Sequence, residues 1–321
     1  MQKHITKITK TTDEFFVYWV LTDLCNFNCF YCNIHSGEHS AAGTLLTKEG
    51  VDTVVTFLKS KKEQHGRVSV ILTGGEPTLF PLFDYVLNSL NEIGVRTVVI
   101  TNGTRPLHWW EGLLSLPKKI IISIHSELTK IDKVNELGRF CIANDISLQV
   151  SSVYNPRDLS KSISLESQLV PELKNIVLQK AVANLTELHS DGSFGEVYQY
   201  PLEIEKLLKD SSVADKEDAT GIIEYSDGTQ ESINPHSLVA QFQNRFLGWK
   251  CSAGINNIEI LPNGDVYNGL CSSKKLGTIT DFKLNDAPTF CMKKVCWCPS
   301  DIMLDKRRST ISVSIAGSKK S

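Results

Sequence analysis

Nowhere in the 321 residues does an apolar run approach the roughly 20 side chains needed to cross a bilayer. The opening stretch MQKHITKITKTTDEFF lacks the apolar core of a secretory signal. These two absences predict a cytoplasmic chain with no membrane contact. An excess of one charge is missing as well. Against 34 Lys and Arg stand 36 Asp and Glu, a net charge of -2, so no whole-protein field attracts nucleic acid or an anionic surface. The exception is the final KRRSTISVSIAGSKK, with five positive charges and no acid, which reads as a frayed, soluble terminus rather than a polyanion contact. No repeat, heptad or low-complexity tract is visible.

Cysteine, in contrast, is plentiful and unevenly placed. An odd total of nine in a chain without export signals does not suit a disulfide framework. Cys25, Cys29 and Cys32 lie within CNFNCFYC, and Cys251, Cys271, Cys291, Cys296 and Cys298 lie near the other end. Cys141 stands apart in VNELGRFCIAND, on an apolar helix face, and reads as a buried core thiol.

Between the two groups, short apolar runs alternate with amphipathic ones. FFVYWVLT (15–22), VSVILT (68–73), VRTVVIT (95–101), KIIISIH (119–125) and ISLQVSSVY (146–154) read as buried strands, with AVANLTEL (181–188) as a sixth. Helices are expected at 47–61 behind Thr47 as N-cap, at 82–94, near 106–115, at 130–144 and near 166–179. Strands apolar on both faces imply a parallel sheet covered by helices, and six β/α units fit an open or partial barrel. In such folds function gathers at the carboxyl ends of the strands. There lie the first cysteines, GGEP (74–77), TNG (101–103) and SIHSE (123–127).

Beyond this core the pattern changes. Residues 191–248 hold a polar run, a hairpin turning at Asp227-Gly228 and a helix over 235–249, and read as a bridge. The expected division is a core at 1–190, this bridge, and a cysteine-rich unit with the basic tail at 249–321.

Three closely spaced thiols are one short of a structural zinc site, although His35 is near enough to serve as a fourth ligand. An iron–sulfur cube held by three thiolates leaves one iron open to bind something else. Phe27, Phe30 and Tyr31 interleave with the thiols and would wall the site off from water and oxygen.

CNFNCFYC resembles the C-x3-C-x-aromatic-C signature of the radical S-adenosylmethionine (radical SAM) superfamily, and GGEP resembles its second recurring motif. The resemblance covers about residues 15–190 and implies an α/β fold, a partial (β/α)6 TIM-like barrel. It implies that Cys25, Cys29 and Cys32 hold a [4Fe-4S] cluster whose fourth iron chelates S-adenosylmethionine. Gly74, Gly75 and Glu76 would meet the methionine amino group, and Tyr31 the adenine. Thr101, Asn102, Ser123 and Gln149 would contact ribose or substrate, Asn102 and Ser123 serving equally well as turn or helix caps. His125 and Glu127 could act as acid or base toward substrate, or as ordinary hydrogen-bonding groups. The implied chemistry is reductive cleavage of S-adenosylmethionine to a 5′-deoxyadenosyl radical that abstracts substrate hydrogen, with flavodoxin or ferredoxin as electron donor.

In the second group, a hairpin turning at residues 262–265 would bring Cys251 near Cys271. Four thiolates suit zinc or an iron–sulfur cube equally well. The run from Cys251 to LGTI resembles the start of the SPASM/twitch auxiliary-cluster domains, a small C-terminal cysteine-rich unit. It departs from the full SPASM pattern in its longer gap and its few later cysteines. The resemblance implies one auxiliary [4Fe-4S] cluster, with Cys251 and Cys271 as the first ligands, Cys296 and Cys298 as the preferred others, and Cys291 as their rival. A net oxidation or bond-forming modification follows, the second cluster handling an electron.

For the substrate, a small metabolite such as an aminosugar, cyclitol or nucleotide precursor competes with a ribosomally made peptide or protein side chain. The few residues before the first strand leave no room for a leader-binding domain, which tilts the expectation toward the metabolite. A non-catalytic iron–sulfur structural or sensing protein is the reading outside enzymes.

Overall fold

The computed structural model describes residues 3–29, 32, 45–154, 158–173, 176–180, 201–204, 206, 221–233, 235–240, 243–296 and 298–309. After β1 (Ile5–Lys10) come the parallel strands β2 (Phe15–Thr22), β3 (Val68–Gly74), β4 (Arg96–Thr101), β5 (Lys119–His125), β6 (Ser147–Tyr154) and β7 (Ile176–Lys180), side by side in chain order. Between them run α1 (Lys48–His65), α2 (Phe83–Glu92), the short α3 (Leu107–Glu111), α4 (Ile131–Ala143) and α5 (Leu159–Ser167). This mixed α/β sheet has the expected alternation, and it stays open: no pairing joins its two edges among the described residues.

Local chemistry explains the helix bounds. Thr47 caps α1 by accepting from the Gly50 amide, and Gly66 ends it at φ 71°, a left-handed conformation that glycine adopts without a Cβ clash. Val51, Val54 and Leu58, at helical spacing, bury one face of α1 against the sheet. That face meets Phe15, Val17, Trp19 and Leu21, alternate residues of β2, in the main core. Burying each such side chain contributes about 1.5–3 kcal/mol. Cys141 is fully buried in the same core, as its sequence context predicts.

The other alternation of the sheet faces away from these helices. Tyr18, Ile71 and Val98 pack there, with Leu270 and Cys298 from the C-terminal part against them. Ser123 and His125 share this face with Ile121, and Gln149 shares it through strand pairing with Ile121.

The C-terminal part extends the sheet at its β2 edge and builds most of a second sheet. After β8 (Gly221–Tyr225), β9 (Gln230–Ile233), α6 (Pro235–Ala240) and β10 (Lys250–Cys251) come β11 (Asn257–Ile260), β12 (Asp265–Tyr267), β13 (Lys275–Thr278) and β14 (Asp281–Phe282). Strand β11 pairs in parallel with β2, and the last three continue the sheet as an antiparallel meander. The expected turn at residues 262–265 is there, with Gly264 at φ 85°. Finally β15 (Thr289–Phe290), α7 (Pro299–Ile302) and β16 (Lys306–Arg307) complete a second sheet of order β15-β10-β16-β1-β8-β9.

Three expectations need correction. The fifth helix covers Leu159–Ser167 and not 166–179, because Asp158 caps it from the Lys161 amide and Pro171 cannot continue it. The sixth strand is Ile176–Lys180, and 181–188 lies outside the described residues. The helix expected over 235–249 is described only at Pro235–Ala240, and 243–249 is not helical. No helix is long and apolar enough to cross a membrane among the described residues.

Candidate active site

The first cysteines follow the carboxyl end of β2. Cys29 is buried, Cys25 and Cys32 are half-buried, and the Cys32 amide donates to the Cys29 carbonyl at 3.0 Å, closing a tight turn. Phe27 and Val153 pack on the three thiols. Burial pushes the Cys25 thiol up, against the Phe27 amide and Asn102 side chain that favour its thiolate. Those two groups lie 3.4 and 3.9 Å from the Cys25 sulfur.

The GGEP run lies against this loop through its backbone. The Gly75 amide donates to Thr22 O and the Glu76 amide to Leu24 O, both at 2.8 Å. A Cβ on Gly74 would stand 2.3 Å from Thr22 O, and one on Gly75 2.3 Å from Leu24 O. Both glycines are therefore required by the close approach of the chain that leads into Cys25. Glu76 is 1% exposed. Its Oε1 accepts from the Thr78 amide (3.2 Å), Thr78 Oγ1 (2.7 Å) and Thr101 Oγ1 (2.8 Å), and its Oε2 from the Asn102 amide (2.7 Å). Burial pushes its carboxyl up, while these bonds pull the other way.

Asn102 extends the clamp to the cysteines. Its Nδ2 donates to Asn26 Oδ1 at 2.8 Å, Asn26 Nδ2 donates to Thr104 Oγ1 at 2.8 Å, and Thr104 Oγ1 donates back to Asn102 Oδ1 at 2.7 Å. Thr101 makes its bonds inside the loop, donating to Glu76 and accepting from the Gly103 amide. The predicted residues at the ends of β2, β3 and β4 thus form one hydrogen-bonded unit. Asn26, Thr78 and Thr104 complete it, and nothing in their local sequence marks them out.

His125, at the end of β5, meets Phe27 edge to face with ring centroids 6.0 Å apart. Burial lowers its pKa to about 4, so the imidazole is neutral near pH 7 and does not titrate there. Glu127 is half-buried, and its carbonyl lies 3.5 Å from Lys161 Nζ. Ser123 and Gln149 lie deeper on the same face, and Gln149 Nε2 donates to Ser151 Oγ at 3.4 Å. Tyr31, Phe30 and His35 lie outside the described residues.

The later cysteines occupy one packed region beside the sheet. Cys291 packs with Cys251, Ala253 and Leu304, and also against the cluster that holds Cys296, Phe246 and Met303. Cys298 instead lies 3.5 Å from the Tyr18 hydroxyl on the face of the main sheet. The Cys271 amide donates to Asp301 Oδ2 at 2.8 Å, and Asn244 and Cys296 exchange two bonds of 2.8 Å. Burial, with the Asp301 charge adding to it, pushes the thiols of Cys271 and Cys298 up to about 12. Two charged residues in this region went unnoticed in the sequence. Asp301 and Lys306 are 2% and 3% exposed. Burial pushes the Asp301 carboxyl up. For Lys306 burial acts downward, but the charges of Cys251, Cys296 and Asp301 outweigh it and hold its pKa raised.

A family model described as the radical SAM superfamily matches residues 19–139, the stretch that contains the cysteine loop, GGEP and TNG. The chain carries a radical SAM domain. A probable GTP 3′,8-cyclase of Sulfurisphaera tokodaii is 29% identical over 83% of this chain and 84% of that protein. A 7-carboxy-7-deazaguanine synthase of Bacteroides thetaiotaomicron is 39% identical over 83 residues, and there the chain spans only 39% of its relative's length. Among solved structures, anSMEcpe with bound AdoMet aligns at a TM-score of 0.55 and 17% identity, over 84% of this chain and 78% of that one. Streptococcus suis SuiB bound to S-adenosylmethionine aligns at 0.54 and 16%, over 84% of this chain and 64% of that one. At such identities the likeness concerns the fold.

The radical SAM family implies a [4Fe-4S] cluster and S-adenosylmethionine, and the donor set of the first loop suits them. Among the described residues no three Cys, His, Asp or Glu side chains already stand as a metal cage. What fits is the chemistry: three thiols on one loop, an apolar flank, and an amide and a carboxamide directed at the Cys25 sulfur, as a thiolate ligand requires. The second group offers five thiols and a buried ammonium, which suits a centre ligated by thiolates alone.

Proposed function

We propose that this radical SAM enzyme acts on a small metabolite, of which a nucleotide precursor is the favoured kind, and performs a net oxidation or bond-forming modification. The observation that carries the enzymatic reading is the joining of Cys25, Asn102 and Glu76 into one unit by the ends of β2, β3 and β4. When bound, the first cluster and S-adenosylmethionine supply a one-electron cleavage of the C5′–S bond and a 5′-deoxyadenosyl radical that abstracts substrate hydrogen. Cys25, Cys29 and Cys32 would hold that cluster, and Phe27 and Val153 keep water from it. Gly74 and Gly75 set how closely GGEP approaches the loop, and Glu76 fixes the geometry of both. The neutral imidazole of His125 serves as a hydrogen-bonding group toward substrate.

The C-terminal thiols would hold a second [4Fe-4S] cluster in a twitch-like unit over 249–321, after a bridge at 191–248. Shared packing supports Cys251, Cys291 and Cys296 as ligands with Cys271, and leaves Cys298 to Tyr18. This revises the preference for Cys298 that came with the SPASM/twitch resemblance. The small-metabolite class is supported by relatives named as a GTP cyclase and a deazaguanine synthase. A cytoplasmic location and a flavodoxin or ferredoxin donor belong to the same proposal. Anaerobically reconstituted protein given S-adenosylmethionine and dithionite should release 5′-deoxyadenosine. Fully loaded protein that releases none is not a radical SAM enzyme in function.

A further inference from the structure

The basic run at the C-terminus begins with a residue that does not behave as part of a solvated tail. Lys306 is 3% exposed, whereas its neighbour Arg307 is exposed. Strand β16 lies between β10 and β1, and Lys306 is the direct partner of Cys251 on one side and Ile8 on the other. Directly paired residues in antiparallel strands project to the same face with neighbouring Cβ atoms. The lysine stem therefore runs beside the Cys251 side chain, in the layer that also contains Ile8, Phe246 and Cys296.

The end of the side chain is fixed as well. Its ammonium donates to the Asp301 backbone carbonyl and stands 5.5 Å from the Phe246 ring centroid. The Asp301 carboxylate itself is engaged elsewhere, by the Cys271 amide at 2.8 Å and Asn257 Nδ2 at 3.3 Å. A buried ammonium needs nearby negative charge to offset its lost hydration. Here the side chains that can supply it beyond one carboxylate are the thiols around it. Set among thiolate ligands, a fixed positive charge favours the more negative, reduced form of the centre they hold.

We infer that Lys306 is the built-in counter-charge of the C-terminal cysteine centre and raises its reduction potential, making it a better electron acceptor. The inference rests on the proposal that these cysteines hold an iron–sulfur cluster, and the experiment separates the two. In a Cys25→Ala/Cys29→Ala/Cys32→Ala background the first cluster is silent. Iron and sulfide near four per chain, with a reducible EPR signal, then establish the second cluster; their absence refutes the cluster proposal before Lys306 is touched.

In that background Lys306→Met should keep its iron and shift the redox titration downward. At a fixed potential the reduced-to-oxidised ratio should fall at least tenfold, a shift of about 59 mV for a one-electron couple. Lys306→Arg should stay within threefold of the parent. An unchanged midpoint in Lys306→Met with iron retained overturns the inference. If Lys306→Met does not load, Lys306→Gln, which can still donate to the Asp301 carbonyl, is titrated on the same criterion. If both neutral variants lose iron, retention by Lys306→Arg upholds the need for charge, and loss by Lys306→Arg as well refutes it in favour of packing.

Discussion

The two cysteine regions are built on opposite principles. The first has three thiols on one short loop, held from outside by neutral groups: the Asn102 carboxamide, the Phe27 amide and the backbone of GGEP. The second has five thiols drawn from separate strands and loops, with a buried ammonium and a buried carboxylate among them. Three thiols are one fewer than the irons of a four-iron cube, which suits a centre that must also bind an exchangeable cofactor. In the second, Cys251 and Cys296 are buried and the other three thiols are half-buried, so charge there is met mainly by protein groups. Local spacing thus defines the first region, and tertiary pairing defines the second.

The sharpest way to break this comparison is to remove one thiol from each. Cys29→Ala should abolish formation of 5′-deoxyadenosine, a loss of at least a thousandfold. Cys271→Ala should halve the iron and leave that reaction within about tenfold. Equal losses would show that the regions do not act separately. Within the second region, Cys291→Ala should lose the auxiliary iron and Cys298→Ala should keep it. The reverse result would restore the ligand set that the SPASM/twitch resemblance implies.

The clamp between the motifs should give the next largest effect, on folding rather than chemistry. Glu76→Gln keeps one oxygen for the Thr78 and Thr101 donors but turns an amide N–H2 toward the Asn102 N–H, leaving two opposed buried donors without an acceptor. Each unsatisfied group costs about 1–3 kcal/mol, so a loss of about 3 kcal/mol is expected. Urea unfolding of the apoprotein measures it. A loss below about 1 kcal/mol would mean that Glu76 is held less firmly than its four bonds imply, and would favour a direct role toward S-adenosylmethionine.

The sequence disclosed the strands β2 to β6 because each is a near-continuous apolar run closed by polar or glycine punctuation. It disclosed the first cysteine loop because three thiols within eight residues need no tertiary information to be seen. Strand β1 was hidden, since ITKITK alternates too weakly to stand out, and its partners come from distant parts of the chain. The parallel pairing of β11 with β2 was hidden for the same reason: Glu259 and Tyr18 are direct partners 241 positions apart, and neither local sequence carries a sign of the other. Lys306 is the clearest case. In KRR it looks like any solvated charge, and only its place between β10 and β1 buries it.

The smallest expected effect concerns His125, where β5 borders the first region through Phe27. Burial lowers its pKa to about 4 from an ordinary 6.5. The unfolded chain therefore takes up this proton below pH 6.5, while the folded protein resists until about pH 4. Its contribution to stability is complete above pH 6.5 and is lost as the pH falls toward 4. Between pH 7 and pH 5 the apoprotein should lose on the order of 1 kcal/mol more than a His125→Gln variant, the partly exposed ring moderating the full linkage value. Unfolding titrations at the two pH values test this. Equal losses in both proteins would show that the imidazole is open to solvent, and would return His125 to the acid–base role its position first suggested. A His125 that stays neutral near pH 7 contrasts with the second region, where burial moves the Glu259 carboxyl up to about 7 beside Ser272.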